Sequence, residues 1–137
     1  DAVPLLLCIA DHYEPHLGGV NSRRAAERVD RSVRDYPRLF GSFRDSDGRP
    51  PRHSFFYPVE DYRADLIDRL APLCHAGFGE IEIHLHHDND TAANLRAMLS
   101  GARDTLARRH RMLARDHRTG ELRYGFIHGN WALANSC

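Results

Sequence analysis

Residues 80–86 read Glu80-Ile81-Glu82-Ile83-His84-Leu85-His86, an alternation of polar and apolar side chains that predicts a β-strand. Asp90 or Thr91 can cap the helix that follows, which is predicted from Ala92 to about Arg111. A strand that leads directly into an amphipathic helix is one β/α unit. The apolar stripe of this helix recurs every three or four residues and consists of Leu95, Met98, Leu99, Ala102 and Leu106.

The same succession of strand and helix patterns covers the rest of the chain. A continuous apolar run over residues 3–10 predicts a strand that is buried on both faces. A helix over residues 23–33 follows, with Asn21 or Ser22 as its cap and with Pro37 limiting its far end. The remaining segments are a second strand over residues 54–57, a helix over residues 64–70 and a fourth strand over residues 122–128.

Four strands separated by helices predict an α/β fold with a parallel sheet and right-handed crossovers. Four units in 137 residues extrapolate to about 270 residues for eight, close to the size of a TIM-like barrel. We therefore expect residues 1–137 to be the N-terminal half of a single β/α-barrel domain, either TIM-like or a seven-stranded variant. A small, complete, doubly wound sheet is the alternative, although no helix pattern follows the fourth strand.

Composition excludes several classes of protein. With 42% hydrophobic and 28% charged residues the chain is expected to be globular, and a formal net charge of zero argues against a nucleic-acid partner. Its longest apolar run is far shorter than the roughly 20 residues that span a bilayer, so no membrane span is expected. The three cysteines are too scattered for a disulfide framework. Localisation and oligomeric state are left open.

Histidines and carboxylates gather where the predicted strands end, and parallel α/β folds bind ligands at that edge of the sheet. His84, His86 and Asp88 share one face of the third strand and its extension, because side chains alternate along a strand. Two imidazoles and a carboxylate are the ligand set of many catalytic metal sites, and Asp11 could supply a further oxygen. A solvated polar strand end is the alternative interpretation.

Three segments together resemble the polysaccharide-deacetylase-like proteins of the glycoside hydrolase/deacetylase barrel superfamily. They are residues 10–15 (ADHYEP), 80–88 (EIEIHLHHD) and 126–131 (FIHGNW). Asp11 and His84 match the family's first acid and first histidine. His12 replaces the second acid of the first motif, and Asp88 stands where the family has its second histidine. The family's arginine-containing motif after the fourth strand is not matched.

The resemblance implies a carbohydrate substrate and a metal-dependent deacetylase that hydrolyses N-acetyl or similar groups of a polysaccharide or its precursor. It implies a divalent ion, with zinc expected ahead of manganese, cobalt or iron. A non-catalytic carbohydrate-binding or assembly protein and a glycosidase are the alternatives. The expected metal ligands are Asp11, His12, His84, His86 and Asp88. The expected catalytic residues are Asp11 and His128, and the expected substrate contacts are Tyr13, Glu14, Asn130 and Trp131.

Overall fold

The structure is a computed structural model that describes residues 3–86 and 90–129. In chain order its main elements are β1 (Ile9–His12), α1 (Ser22–Phe40), β2 (His53–Pro58), α2 (Ala64–Leu73), β3 (Gly79–Leu85), α3 (Ala92–Arg109), β4 (Ala114–Arg115), β5 (Leu122–Arg123) and β6 (Phe126–His128). A single 3-10 turn (Val59–Asp61) follows β2, and a π-helical turn (Cys74–Phe78) ends α2.

Four strands form a parallel sheet in the order β1-β2-β3-β6. The sheet curls into a half-barrel, with the carboxyl ends of all four strands at one edge. The predictions of an α/β fold and of a parallel sheet are confirmed. Closure into a TIM-like or seven-stranded barrel stays a prediction.

The hydrophobic core lies between one face of the sheet and helices α1 and α2. The sheet contributes Phe55, Tyr57, Ile81 and Ile83, each at most 2% exposed. The helices cover this face with apolar side chains at helical spacing, because only one stripe of each helix can reach the sheet. These are Ala25 and Val29 from α1 and Leu66, Ile67 and Leu70 from α2.

The opposite, concave face of the sheet is polar, and its buried groups are hydrogen-bonded. Glu82 of β3 accepts a hydrogen bond from the Gly125 N–H at 2.6 Å, and burial raises the pKa of its carboxyl to about 7. His84, two residues further along the strand, is completely buried. Both faces of β3 are buried, since Ile81 and Ile83 belong to the core while Glu82 and His84 lie on the concave face.

The first strand is shorter and lies later in the chain than expected. Val3, Leu5, Leu6 and Leu7 are 80–91% exposed, and β1 begins only at Ile9. The strand partner explains the difference. β2 starts at His53, and the prolines that precede it lack the N–H groups that a longer ladder with β1 would need.

Helix α1 is longer than predicted, since it continues through Pro37 to Phe40. A proline removes one backbone hydrogen bond, and here the helix tolerates the loss near its end, where the Gly41 N–H donates to the Pro37 carbonyl at 2.9 Å. The expected start of the helix is confirmed, because the Asn21 side chain accepts from the Arg24 N–H at 2.9 Å.

The predicted fourth strand is divided in two. Its first part is β5, which pairs antiparallel with β4 in a separate two-stranded sheet, and only β6 joins the main sheet. Gly125 lies at the break, where a Cβ would be 3.2 Å from the ring of Phe56. The chain therefore passes close to the sheet at this glycine, between β5 and β6.

Candidate metal centre

His84 is held in one orientation and one tautomer by the neighbouring strand. Its Nδ1 lies 2.8 Å from the backbone carbonyl oxygen of Ile127 in β6. A carbonyl can only accept, so Nδ1 carries the proton and Nε2 presents a lone pair. Burial lowers the pKa of the imidazole, which keeps it neutral near pH 7. A neutral imidazole with a directed Nε2 lone pair is the form that binds metals.

His86 is oriented in the same way by a carboxylate. Its Nδ1 lies 2.5 Å from Oε1 of Glu60, in the 3-10 turn after β2, and its backbone N–H donates to the same oxygen at 3.2 Å. The Nε2 atom then faces Nε2 of His84 at 3.2 Å. Carboxylate–histidine pairs of this kind are a frequent outer shell of protein metal sites.

Glu14 places a carboxylate oxygen between these two rings. Its Oε1 lies 3.5 Å from His84 Nε2, 3.6 Å from His86 Nε2 and 3.9 Å from His12 Nδ1. His12, the last residue of β1, packs its ring 4.2 Å from that of His84. The ligand atoms of His12, Glu14 and His84 all lie within 4.8 Å of one another. We call these three residues together with His86 the candidate metal centre.

The spacing of these atoms fits a tetrahedral ion. Zinc–nitrogen bonds of about 2.0–2.1 Å place two tetrahedral ligand atoms about 3.3–3.4 Å apart, close to the separations among Glu14, His84 and His86. The two Nε2 atoms lie 3.2 Å apart with the rings nearly perpendicular, and a cation or proton shared between them would offset the repulsion of their lone pairs. The group could therefore hold a metal ion.

An open cavity of about 180 Å³ adjoins the centre. Glu14 and His86 form its boundary with the candidate metal centre, and Glu60 and Asp61 add two further carboxylates. The remaining lining comes from His16, Leu17 and Pro58. This cavity offers a place for a ligand beside the candidate metal centre.

Asp11, expected as metal ligand and base, is not brought to this group. Its Oδ1 lies 3.1 Å from Nε2 of His53 at the start of β2. In the sheet register Asp11 pairs with Phe55, which belongs to the helix-covered face, whereas His12 pairs with Phe56 on the concave face. Alternation along β1 therefore directs His12, and not Asp11, towards His84.

His128 and Tyr13 also lie away from the centre. In the sheet register His128 pairs with Leu85, the residue after His84. Because side chains alternate along a strand, His128 lies on the opposite face of the sheet from His84. Tyr13 packs edge-on against Phe55 at 4.9 Å, and burial raises the pKa of its hydroxyl to about 12. The expected residues Asp88, Asn130 and Trp131 lie outside the described residues.

Two acids have roles that the sequence did not assign to them. Glu14 was expected to contact substrate but lies among the imidazoles, because the segment after β1 folds back over the carboxyl edge of the sheet. Glu60 was not identified as a site residue. The signal for it was present, since it follows the second strand in the same way that other polar groups follow the first and third.

Comparison with known proteins gives no assignment: no family model, curated protein or solved structure matches the chain. The resemblance to polysaccharide-deacetylase-like proteins therefore rests on its motifs alone. Within the described residues, the helices are too short or too polar to cross a membrane.

Proposed function

We propose that this chain carries the metal centre of a zinc-dependent hydrolase acting on N-acetyl groups of a carbohydrate. The observation that supports this most strongly is the convergence of His84 Nε2, His86 Nε2 and Glu14 Oε1 within 3.6 Å of one another. Each imidazole has its Nδ1 engaged in a hydrogen bond, so both present Nε2 to the centre.

When bound, a divalent ion supplies Lewis-acid activation of water and of an amide carbonyl. The protein's own groups orient the ligands and handle protons. Glu60 holds the proton on Nδ1 of His86, and Ile127 holds the proton on Nδ1 of His84. Asp61, whose carboxylate lines the cavity, accepts a proton there in this scheme.

The chemistry of the cavity supports a hydroxyl-rich, uncharged ligand. Carboxylates accept hydrogen bonds from hydroxyl groups, and Leu17 and Pro58 offer apolar contact for the C–H groups of a sugar ring. No arginine side chain lines this cavity within the part of the chain that the structure describes. A neutral sugar suits this lining better than a phosphorylated one.

The test is release of acetate from N-acetylated chitooligosaccharides by the zinc-loaded chain and by the chain treated with chelator. We expect acetate release that depends on metal and is lost in the double variant His84→Ala, His86→Ala. His117→Ala is the matched control, because His117 is an exposed histidine in the turn between β4 and β5. It should keep full activity.

Other outcomes of the same assay would overturn the proposal. Cleavage of the glycosidic bond without acetate release would indicate a glycosidase. Sugar binding without either reaction would indicate a carbohydrate-binding protein on the same fold. Acetate release that persists in the double variant would place the chemistry elsewhere.

A further inference from the structure

The segment over residues 13–19, between β1 and α1, carries Glu14 into the candidate metal centre. It contains two tight turns, in which the Leu17 N–H donates to the Glu14 carbonyl at 3.0 Å and the Gly19 N–H donates to the His16 carbonyl at 3.1 Å. Gly18 and Gly19 have φ of +83° and +68°, which favours glycine at both positions. Longer-range contacts also hold it, since the Tyr13 N–H donates to the Phe56 carbonyl at 2.9 Å and His16 Nδ1 lies 2.8 Å from Asp61 Oδ2. Neither contact reaches the carbonyl of Pro15, the residue that follows Glu14.

Arg28 of α1 supplies the contact at Pro15. A single guanidinium nitrogen, Nη1, donates to the carbonyl of Pro15 at 2.9 Å and to the carbonyl of Leu17 at 2.8 Å. Hydrogen bonds from a charged donor are stronger than neutral ones. The next residue of the helix, Val29, is completely buried in the core, so the base of the Arg28 side chain is fixed.

We propose that Arg28 is a positioning residue for Glu14 in the candidate metal centre. Pro15 follows Glu14 directly and its φ is restricted by the ring, so holding the Pro15 carbonyl sets the direction of the adjoining backbone. His84 and His86 do not depend on Arg28, because Ile127 and Glu60 hold them on the other side of the centre. Loss of Arg28 should therefore release the oxygen ligand and leave the nitrogen ligands in place.

This inference rests on the proposed metal centre and makes a specific claim about it. The probe is Co²⁺, because its visible absorption reports the number and type of ligands. Arg28→Ala should weaken Co²⁺ binding about 10- to 100-fold, the range usual for residues that orient a ligand. The visible spectrum of Co²⁺ bound to Arg28→Ala should shift towards that of Co²⁺ bound to Glu14→Gln.

A double-mutant cycle separates positioning from a general structural effect. In the Glu14→Gln background, Arg28→Ala should cause no further loss of Co²⁺ affinity. Arg28→Lys should recover part of the affinity, because both bonds come from one nitrogen and an ammonium group can also donate twice. Arg24→Ala is the matched control, since Arg24 lies on the same helix and its guanidinium pairs with Glu27.

Two failures are distinguishable. If the unmodified chain binds no Co²⁺ or Zn²⁺, the proposed metal centre itself is wrong, and the role of Arg28 falls with it. If the chain binds Co²⁺ and Arg28→Ala binds it with unchanged affinity and spectrum, the metal centre stands and the positioning role is wrong. Additive losses in the double variant would also overturn the positioning role.

Discussion

Two completely buried histidines, His84 and His110, have opposite surroundings. His110, just after α3, has a polar side chain beside each ring nitrogen: the Tyr62 hydroxyl is hydrogen-bonded to Nε2 at 2.8 Å, and an Asp68 carboxylate oxygen lies 2.9 Å from Nδ1 as an ion-pair contact outside hydrogen-bond geometry. His84 has one nitrogen bonded to a backbone carbonyl and the other turned towards Glu14 and a second imidazole.

The difference separates a histidine that connects parts of the fold from one that could bind a metal ion. A buried imidazole whose two nitrogens both contact side chains of other segments connects those segments and stabilises them. A buried imidazole whose second nitrogen lies close to a carboxylate and to another imidazole nitrogen is placed where a cation or proton could join them. Burial alone therefore does not identify a functional histidine, whereas the partner at each nitrogen does.

The largest expected effect on stability comes from removing His110. His110→Ala should lower the free energy of unfolding by about 2–3 kcal/mol, because it leaves a cavity and removes the hydrogen-bond partner of the Tyr62 hydroxyl. Urea denaturation measures this. Tyr62→Phe, which removes only the hydroxyl, should cost about 1 kcal/mol. A loss below about 0.5 kcal/mol for His110→Ala would contradict a structural role.

In the candidate metal centre, Glu60→Gln should weaken zinc binding about 10- to 100-fold, or about 1.4–2.7 kcal/mol. The amide cannot hold the proton of His86 Nδ1 as firmly as the carboxylate that lies 2.5 Å from it. Competition with a chromogenic chelator gives the affinity. Glu121→Gln, at an exposed turn, is the control, and equal affinities for both variants would remove Glu60 from the site.

Gly129→Ala tests how closely the backbone approaches His86. A Cβ at Gly129 would overlap the His86 ring, so the substitution should displace the ring and cost about 1–2 kcal/mol in zinc binding. Gly101→Ala is the matched control, because a Cβ there meets nothing within 4 Å. Unchanged zinc affinity in Gly129→Ala would show that the ring is not confined there.

The smallest effect concerns pH. Burial lowers the pKa of His110, outweighing the nearby Asp68, while Arg109 also lowers it. The unfolded chain therefore binds this proton more readily, so the free energy of unfolding should fall as pH drops below about 6.5, by less than 1.4 kcal/mol per pH unit. The slope should be shallower in His110→Gln. An identical slope in both proteins would exclude His110 as its source.

The order of elements could be predicted from the sequence because the helix and strand periods are long and regular here. The bounds of the first and fourth strands could not be predicted. The run over residues 3–10 is apolar enough for a strand, but strand formation depends on a partner, and the prolines before β2 limit that partner. The prediction of one continuous fourth strand was wrong, since Gly125 passes close to the sheet and lies between β5 and β6.

For the site, the sequence placed His84 and His86 on one face, because alternation within one strand is a local property. It assigned Asp11 as a metal ligand and Glu14 as a substrate contact, whereas the structure groups Glu14 with His12 and His84. That placement depends on register between strands and on the path of the segment after β1. Neither is visible in a single sequence. The role of Glu60 depends on the same long-range geometry, which brings the turn after β2 within 2.5 Å of His86.

The most direct measurement of the central claim is zinc stoichiometry and affinity of the chain and of two variants, one for each buried histidine. The chain and His110→Gln should bind about one zinc ion each with similar affinity, and His84→Ala should bind none at the same concentration. Folding of each protein, followed by circular dichroism, is the control. Equal zinc binding by His84→Ala, or no zinc binding by the unmodified folded chain, would contradict the assignment of His84 as a metal ligand.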